Sequence, residues 1–351
     1  MKYIEKSDFI NKIIEGNSLD RLPLYPPQSV HQIITSPPYF GLRDYGHKGQ
    51  LGLENTMDIY ISSLCDILDQ AKRVLRDDGT LWLNVGDSYA GNMSRTSKGR
   101  AGLGEKREGV FKRMPDGLQT KDLCGTPWRI ALECQKRGWI LRSDIIWAKT
   151  NPMPESVQDR PTKSHEYVFM FSKKQEYYYD MEAIREKSGS NKRDVWSMAS
   201  ARFKGEHFAT FPEELIAPMI QAGTSQYGVC INCQSPYVRS KELTDEYKSV
   251  RGEGFHGKDD FMDTGFRGVK PLEFTGKRYK TINWLPTCEC VVAKRTGCTV
   301  PAVVMDIFMG SGTTAKVAKR CGRHYTGIEI NPKYVEVINK RYSLKQKELF
   351  I

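Results

Sequence analysis

The sequence has no apolar run approaching the about 18 residues that cross a bilayer, so neither a membrane span nor a membrane partner is expected. No apolar h-region follows Met1-Lys2-Tyr3; charged residues do, which argues against a secretory signal and for a cytoplasmic protein. No internal repeat is present, which removes solenoids and propellers. In a cytosolic chain, nine cysteines do not read as a disulfide framework. Cys65, Cys124, Cys134 and Cys321 lie in or beside apolar helical patterns and read as small core residues.

What is present is an ordinary globular balance, 39% hydrophobic and 27% charged. The 351 residues suit one large α/β domain with insertions, or two domains. The net charge of +11 leans toward a polyanionic partner. Arg95, Lys98, Arg100, Lys106, Arg107, Lys112 and Arg113 are interleaved with Gly99, Gly102, Gly104 and Gly109. A flexible basic loop of this kind can follow a phosphate backbone and order on contact.

Strands alternate with helices along the chain. "VHQII" (30–34) and "TLWLNV" (80–85) read as strands, with a helix between them on Leu64, Ile67, Leu68, Ala71 and Leu75. Gly79 is expected to end that helix in the left-handed conformation. Thr126 is expected to cap the next helix, with Pro127 in its first turn and Gly138 at its end. "ILRSDIIWAK" and "EYVFMFSK" read as strands and "PEELIAPMIQAG" as a helix. "PAVVMDIF", "GSGTTAKVAKRCG" and "HYTGIEI" then give strand, turn with helix, and strand, before a last helix capped by Asn331-Pro332. Such alternation implies a mostly parallel, doubly wound α/β sheet with right-handed crossovers. Two stretches, 88–124 and 224–297, are too long for plain connections and read as insertions: a basic flexible loop and a small subdomain.

The strand "IIT" ends in Ser36-Pro37-Pro38-Tyr39. Neither proline has a backbone N–H, and each holds its predecessor extended, so the strand stops in a stiff arm. The arm offers a hydroxyl, free carbonyls and a flat ring. Such a set could hold a planar group that carries an amino donor. No G-x-S-x-G elbow surrounds Ser36, which counts against a serine nucleophile.

Late in the chain, Gly310, Gly312 and Ala315 give the G-x-G-x-x-G/A spacing after a strand and before a helix, and Glu329 ends the next strand. This is a geometry for a nucleotide-like ligand, with Glu329 accepting from ribose hydroxyls. NAD, FAD and S-adenosylmethionine all remain open on the turn alone. Asp306 tilts the choice, because a carboxylate there repels a pyrophosphate but attracts an amino group or a sulfonium.

"TSPPYF" early and "FMGSGTT" late, in that order, resemble the beta class of amino DNA methyltransferases, which act on exocyclic nitrogens. "GTLWLNVGD", "WAKTNPMPES", "RPTKSHEYVFMFSK" and "FPEELI" also look like family segments in the expected order. The resemblance implies a Rossmann-like methyltransferase sheet in residues 1–223 and 298–351. It implies S-adenosylmethionine held by Asn17, Asp306, Phe308, Gly310, Ser311, Gly312, Thr313, Thr314 and Glu329, and catalysis by Ser36, Pro37, Pro38 and Tyr39 on a flipped base in double-stranded DNA. Asn17 stands where the family commonly has an acid, and Ile307 where proline is frequent. Ser at the first arm position usually accompanies cytosine N4; adenine N6 is the alternative. A non-catalytic DNA-binding protein with a residual cofactor pocket is the alternative of another class. A cognate restriction endonuclease and a homodimer are open as partners.

Cys230-x-x-Cys233 and Cys288-x-Cys290 stand toward the two ends of the second insertion. Two close thiolate pairs suit a tetrahedral structural zinc. Cys298 is a less well spaced substitute, and buried free cysteines are the plain alternative. The intervening Lys248, Arg251, Lys258, Arg267, Lys270, Lys277, Arg278 and Lys280 suggest that this knuckle contacts DNA and helps set the target sequence. His165 reads either as a ligand or acid–base group or, more simply, as a structural residue beside a strand.

Overall fold

The alternating segments assemble into one eight-stranded sheet in the computed structural model, which describes residues 3–42, 44–91, 117–200, 211–246, 248, 279–295 and 297–347. The strands are β1 (Lys12–Glu15), β2 (Val30–Thr35), β3 (Leu75–Val85), β4 (Ile140–Lys149), β5 (His165–Ser172), β6 (Val195–Met198), β7 (Val229–Cys230), β8 (Tyr237–Leu243), β9 (Tyr279–Pro286), β10 (Thr299–Val300), β11 (Val303–Asp306) and β12 (His324–Glu329). The helices are α1 (Lys6–Phe9), α2 (Ser18–Arg21), α3 (Met57–Val74), α4 (Thr126–Lys136), α5 (Glu213–Gly223), α6 (Thr313–Arg320) and α7 (Pro332–Lys347). The main sheet has the order β1-β12-β11-β2-β3-β5-β4-β6. Only β5 runs antiparallel to its neighbours β3 and β4; the other pairings are parallel.

Both faces of the sheet are covered. Ile33, Leu81, Leu83, Val303 and Met305 point into one core with Tyr60, Leu64 and Leu68 of α3 and Ile130 of α4. Ile34, Trp82 and Val304 point into the other with Leu215 and Met219 of α5, Val317 of α6 and Ile338 of α7. The period of two along each strand thus feeds two helical layers. All six residues of β2 are buried, including the polar His31, Gln32 and Thr35, each of which has a hydrogen-bond partner.

Two local expectations are corrected. Gly79 does not end α3 in a left-handed turn. The helix stops at Val74, Leu75 is already extended, and Gly79 lies inside β3. A Cβ at Gly79 would stand 2.7 Å from the His31 carbonyl oxygen and 2.6 Å from Leu75 Cδ1, so the glycine permits close strand approach. Thr126 is not the cap of α4. Gly125 is, at φ 65°, and the Asp87 carboxylate accepts from the backbone N–H groups of Gly125 and Thr126 at 3.1 Å each. A remote acid at the positive end of the helix replaces the local hydroxyl.

The basic residues Arg95, Lys98, Arg100, Lys106, Arg107, Lys112 and Arg113 lie outside the described residues. The two stems of their segment are closed by a short antiparallel contact: Ala90 N–H gives to Asp122 O at 2.8 Å and Lys121 N–H to Ala90 O at 2.9 Å. This stem starts just past Asp87, beyond the carboxyl end of β3.

Gly79→Ala is expected to lower stability by about 1–3 kcal/mol, read as a lower urea midpoint at an unchanged slope. An unaltered midpoint would contradict the close approach at His31.

Candidate active site

The carboxyl ends of the parallel strands surround a cavity of about 490 Å³. Such ends are where ligands bind in open α/β sheets, and the volume lies within the about 300–1,000 Å³ of ligand sites. Neighbouring strands β2 and β11 bring the early arm and the late glycine turn to it. Ser36, Pro37, Pro38 and Tyr39 line one part, and Phe308, Gly310, Ser311, Thr313 and Glu329 another, with Asn17 beyond β1. Residues from opposite ends of the chain therefore face one space.

The arm is held from outside. Tyr60 of α3 donates its hydroxyl to Pro38 O at 2.9 Å, and Leu42 N–H gives to Tyr39 O at 3.3 Å. Two of the carbonyls expected to be free are thus used to brace the arm, which leaves the Ser36 and Pro37 positions to face the cavity. The Tyr39 hydroxyl donates to Glu166 Oε2 at 2.8 Å. Burial, and then the Glu166 carboxylate, hold the Tyr39 phenol well above its usual pKa, so it is a proton donor at neutral pH.

The turn is built on two left-handed glycines, Gly310 at φ 52° and Gly312 at φ 83°. A Cβ on Gly312 would press on Ile338 at 3.0 Å, so α6 and α7 pack only because it is absent. Glu329 accepts from Gly310 N–H at 2.6 Å and Asn331 N–H at 2.8 Å. Burial raises its carboxyl to about 7. A carboxylate has about four acceptor sites, so capacity remains for a hydroxyl donor. Asn17 caps α2 by accepting from Leu19 N–H at 2.9 Å and donates to Gly49 O at 2.7 Å.

Of the residues expected to hold the cofactor, Asp306, Gly312 and Thr314 are not among those that line the cavity. Asp306 accepts from Thr35 Oγ1 and Thr314 Oγ1 at 2.7 Å each and from Phe308 N–H at 3.0 Å. Buried under the turn with three donors on its oxygens, it stands behind the residues that line the cavity. Burial raises it to about 6.

Sequence reasoning assigned no role to Glu166, Lys149, Asn84 and Trp147, which also line the cavity. The available signal was a carboxylate in the otherwise apolar "EYVFMF" of β5. Its neighbour His165 sets its ring edge-on to Tyr167 at 5.3 Å.

The four cysteines Cys230, Cys233, Cys288 and Cys290 place their Sγ atoms within 4.8 Å of one another, and Cys298 is not among them. They sit at the other end of the sheet. His31, near the start of β2, takes Val303 N–H on Nδ1 at 3.0 Å, so Nε2 carries the proton and donates to Gln234 O at 3.1 Å. Burial lowers His31 to about 4 and keeps it neutral. Arg76, near the start of β3, donates to Cys233 O at 3.1 Å. The strand span from His31 to Ser36 separates cluster and arm by about 16 Å. The described part of this insertion therefore lies away from the cleft, and Arg251, Lys258, Arg267, Lys270, Lys277 and Arg278 lie outside the described residues.

Residues 30–232 and 296–340 match the DNA methylase model of the N6/N4 methyltransferases. The chain belongs to the N6/N4 DNA methylase family. Among its relatives, the type II methyltransferase M.Cfr9I of Citrobacter freundii is 39% identical over 94% of this chain and 86% of that protein. M.SmaI of Serratia marcescens, also a type II methyltransferase, is 43% identical over 62% of this chain and 76% of its own length. The PvuII DNA methyltransferase, cytosine-N4-specific, superposes with a TM-score of 0.57 at 16% identity, covering 95% of this chain and 89% of that one. A putative DNA modification methylase of Thermus thermophilus, solved in complex with S-adenosyl-L-methionine, gives 0.50 at 20% identity over 95% and 93%. At these identities the superpositions establish a shared fold. Among the described residues no helix is long and apolar enough to cross a membrane.

The raised carboxyl of Asp306 destabilises the folded state as pH climbs from its unfolded value near 3.8 to about 6. Asp306→Asn is expected to flatten that limb of the stability–pH curve while lowering stability at acid pH, where the wild-type acid is already neutral. Urea midpoints for both proteins between about pH 4 and 7 read this. Parallel curves would show that Asp306 titrates normally.

Proposed function

We propose that this methylase transfers a methyl group from S-adenosylmethionine to the N4 amine of cytosine, on a base turned out of double-stranded DNA into the cleft. The observation that carries the reading is the meeting of the proline arm and the glycine turn in one cavity. When bound, S-adenosylmethionine supplies an electrophilic methyl on its sulfur. Glu329 would accept from its ribose hydroxyls, Gly310, Ser311 and Thr313 would approach it by backbone and hydroxyl, and Phe308 and Asn17 would close its adenine end. Gly312 and Thr314 support these positions from behind.

The arm does the rest. Tyr39 stacks on the extruded base, a contact worth about 1–3 kcal/mol, which offsets part of the few kcal/mol of unstacking. Ser36 Oγ and the Pro37 carbonyl accept from the two amino hydrogens. The nitrogen lone pair then stands perpendicular to the plane those bonds define, ready for in-line attack. Positioning and electrostatics account for the rate gain. Cytosine is favoured over adenine by Ser36, a small neutral acceptor, and by the specificity of the PvuII neighbour. The basic loop, whose stems rise beside the cleft, would hold the phosphate backbone. The type II relatives favour a partner endonuclease for the same site.

The four cysteines would hold zinc. A tetrahedral site with Zn–S near 2.3 Å has sulfur–sulfur edges of about 3.8 Å, which falls inside the 4.8 Å that bounds the separations here. Its place at the amino ends of β2 and β3 suits a clamp on the sheet rather than a reader of bases.

Mass spectrometry of DNA digested after incubation with the protein and S-adenosylmethionine is expected to yield N4-methylcytosine. N6-methyladenine alone would reject the cytosine reading. Metal analysis is expected to find one zinc per chain in the wild type and none in Cys230→Ser, with the variant melting several degrees lower at an unchanged S-adenosylmethionine Kd. A metal-free wild type would remove the zinc.

A further inference from the structure

Glu166, Lys149 and Asn84 line the cavity beside Tyr39 and have no part in the scheme above. Glu166, on β5, is at their centre. Its Oε1 is ion-paired with Lys149 at the end of β4, and its Oε2 accepts from Tyr39 Oη at 2.8 Å and from Asn84 Nδ2 of β3 at 3.1 Å. The Glu166 and Lys149 side chains are only 15% and 22% exposed. Gly86 makes room for Tyr39 and Glu166: a Cβ there would stand 2.8 Å from Tyr39 Cε2 and 3.4 Å from Glu166 Cγ.

The direction of the hydrogen bond between Tyr39 and Glu166 is forced. A carboxylate only accepts, and a phenol has one proton. Tyr39 therefore gives its proton to Glu166, and its ring is tied to β5 through that bond.

We propose that Glu166, held by Lys149, is a positioning residue that orients Tyr39 and so holds its ring where the target base stacks. This rests on the amine-methylation reading above and adds to it a residue that acts through Tyr39. Glu166 does so by fixing where the Tyr39 hydroxyl points. Lys149 compensates its charge in a half-buried site, where a lone carboxylate is costly.

Glu166→Gln keeps the shape but turns one acceptor into a donor, so the bond to Tyr39 can run backwards. The single-turnover rate of methyl transfer at saturating DNA and cofactor is expected to fall about 10- to 100-fold, with the Kd for S-adenosylmethionine unchanged. Tyr39→Phe keeps the ring and removes that bond, and is expected to lose a similar factor. The double variant is expected to be no slower than the worse single one, the mark of residues acting as one unit. Multiplying losses, a wild-type rate in either single variant, or a loss confined to cofactor affinity would overturn the proposal. If Glu166→Gln does not fold, Tyr39→Phe decides alone by the same rate and Kd. A wild-type protein that methylates no DNA amine overturns the parent reading and this proposal together, whereas an active wild type with unaffected variants overturns this one alone.

Discussion

Asp306 accepts from Thr35 and Thr314 at 2.7 Å each, and those two bonds join the root of the arm to the root of the glycine turn. Thr35 is the last residue of β2 and Asp306 the last of β11, and the two strands are parallel neighbours. Everything that happens in the cleft depends on that alignment. The arm can face the turn only if both strands end at the same level. A buried carboxylate that needs several donors is satisfied in one register and left short in any other. Its third donor, Phe308 N–H, sets the first step of the turn as well.

The same sheet keeps chemistry and scaffolding at different ends. Carboxyl ends of parallel strands point backbone and loops at the cleft, while amino ends receive the cysteine cluster through His31 and Arg76. His31 spans the two functions: it lies on the strand that carries the arm, takes an N–H from the strand that carries the turn, and grips the cluster by Gln234. A residue placed this way transmits packing rather than reactivity. Its buried, neutral ring fits that place.

Much of the fold was readable from periodicity. β2, β4, β5, β11 and β12 follow from apolar runs with turn residues around them, and the two helical layers follow from strand–helix alternation. Caps and stops were harder. At α4 the expected hydroxyl cap lost to Asp87, thirty-nine positions upstream of Thr126, because any well-placed anion satisfies a helix start. At Gly79 the local signal said helix end, and the reason for glycine was instead the carbonyl of a neighbouring strand. For Asp306 the local argument weighed a charge against a ligand, and could not include the two threonines that take up its oxygens.

The sequence by itself determined the kinds of groups available: a proline-stiffened arm with a hydroxyl and a ring, a glycine turn closed by an acid, and two thiolate pairs. These follow from local stereochemistry, which needs only neighbouring residues. Tertiary structure alone decided which of them meet. Glu166 and Lys149 joined the cleft because β5 and β4 lie beside β3 in the sheet, and the cysteines were carried about a strand's length away because they bind its opposite end. Strand order and register are set by the packing of residues far apart in the chain, and no short window of sequence contains that information.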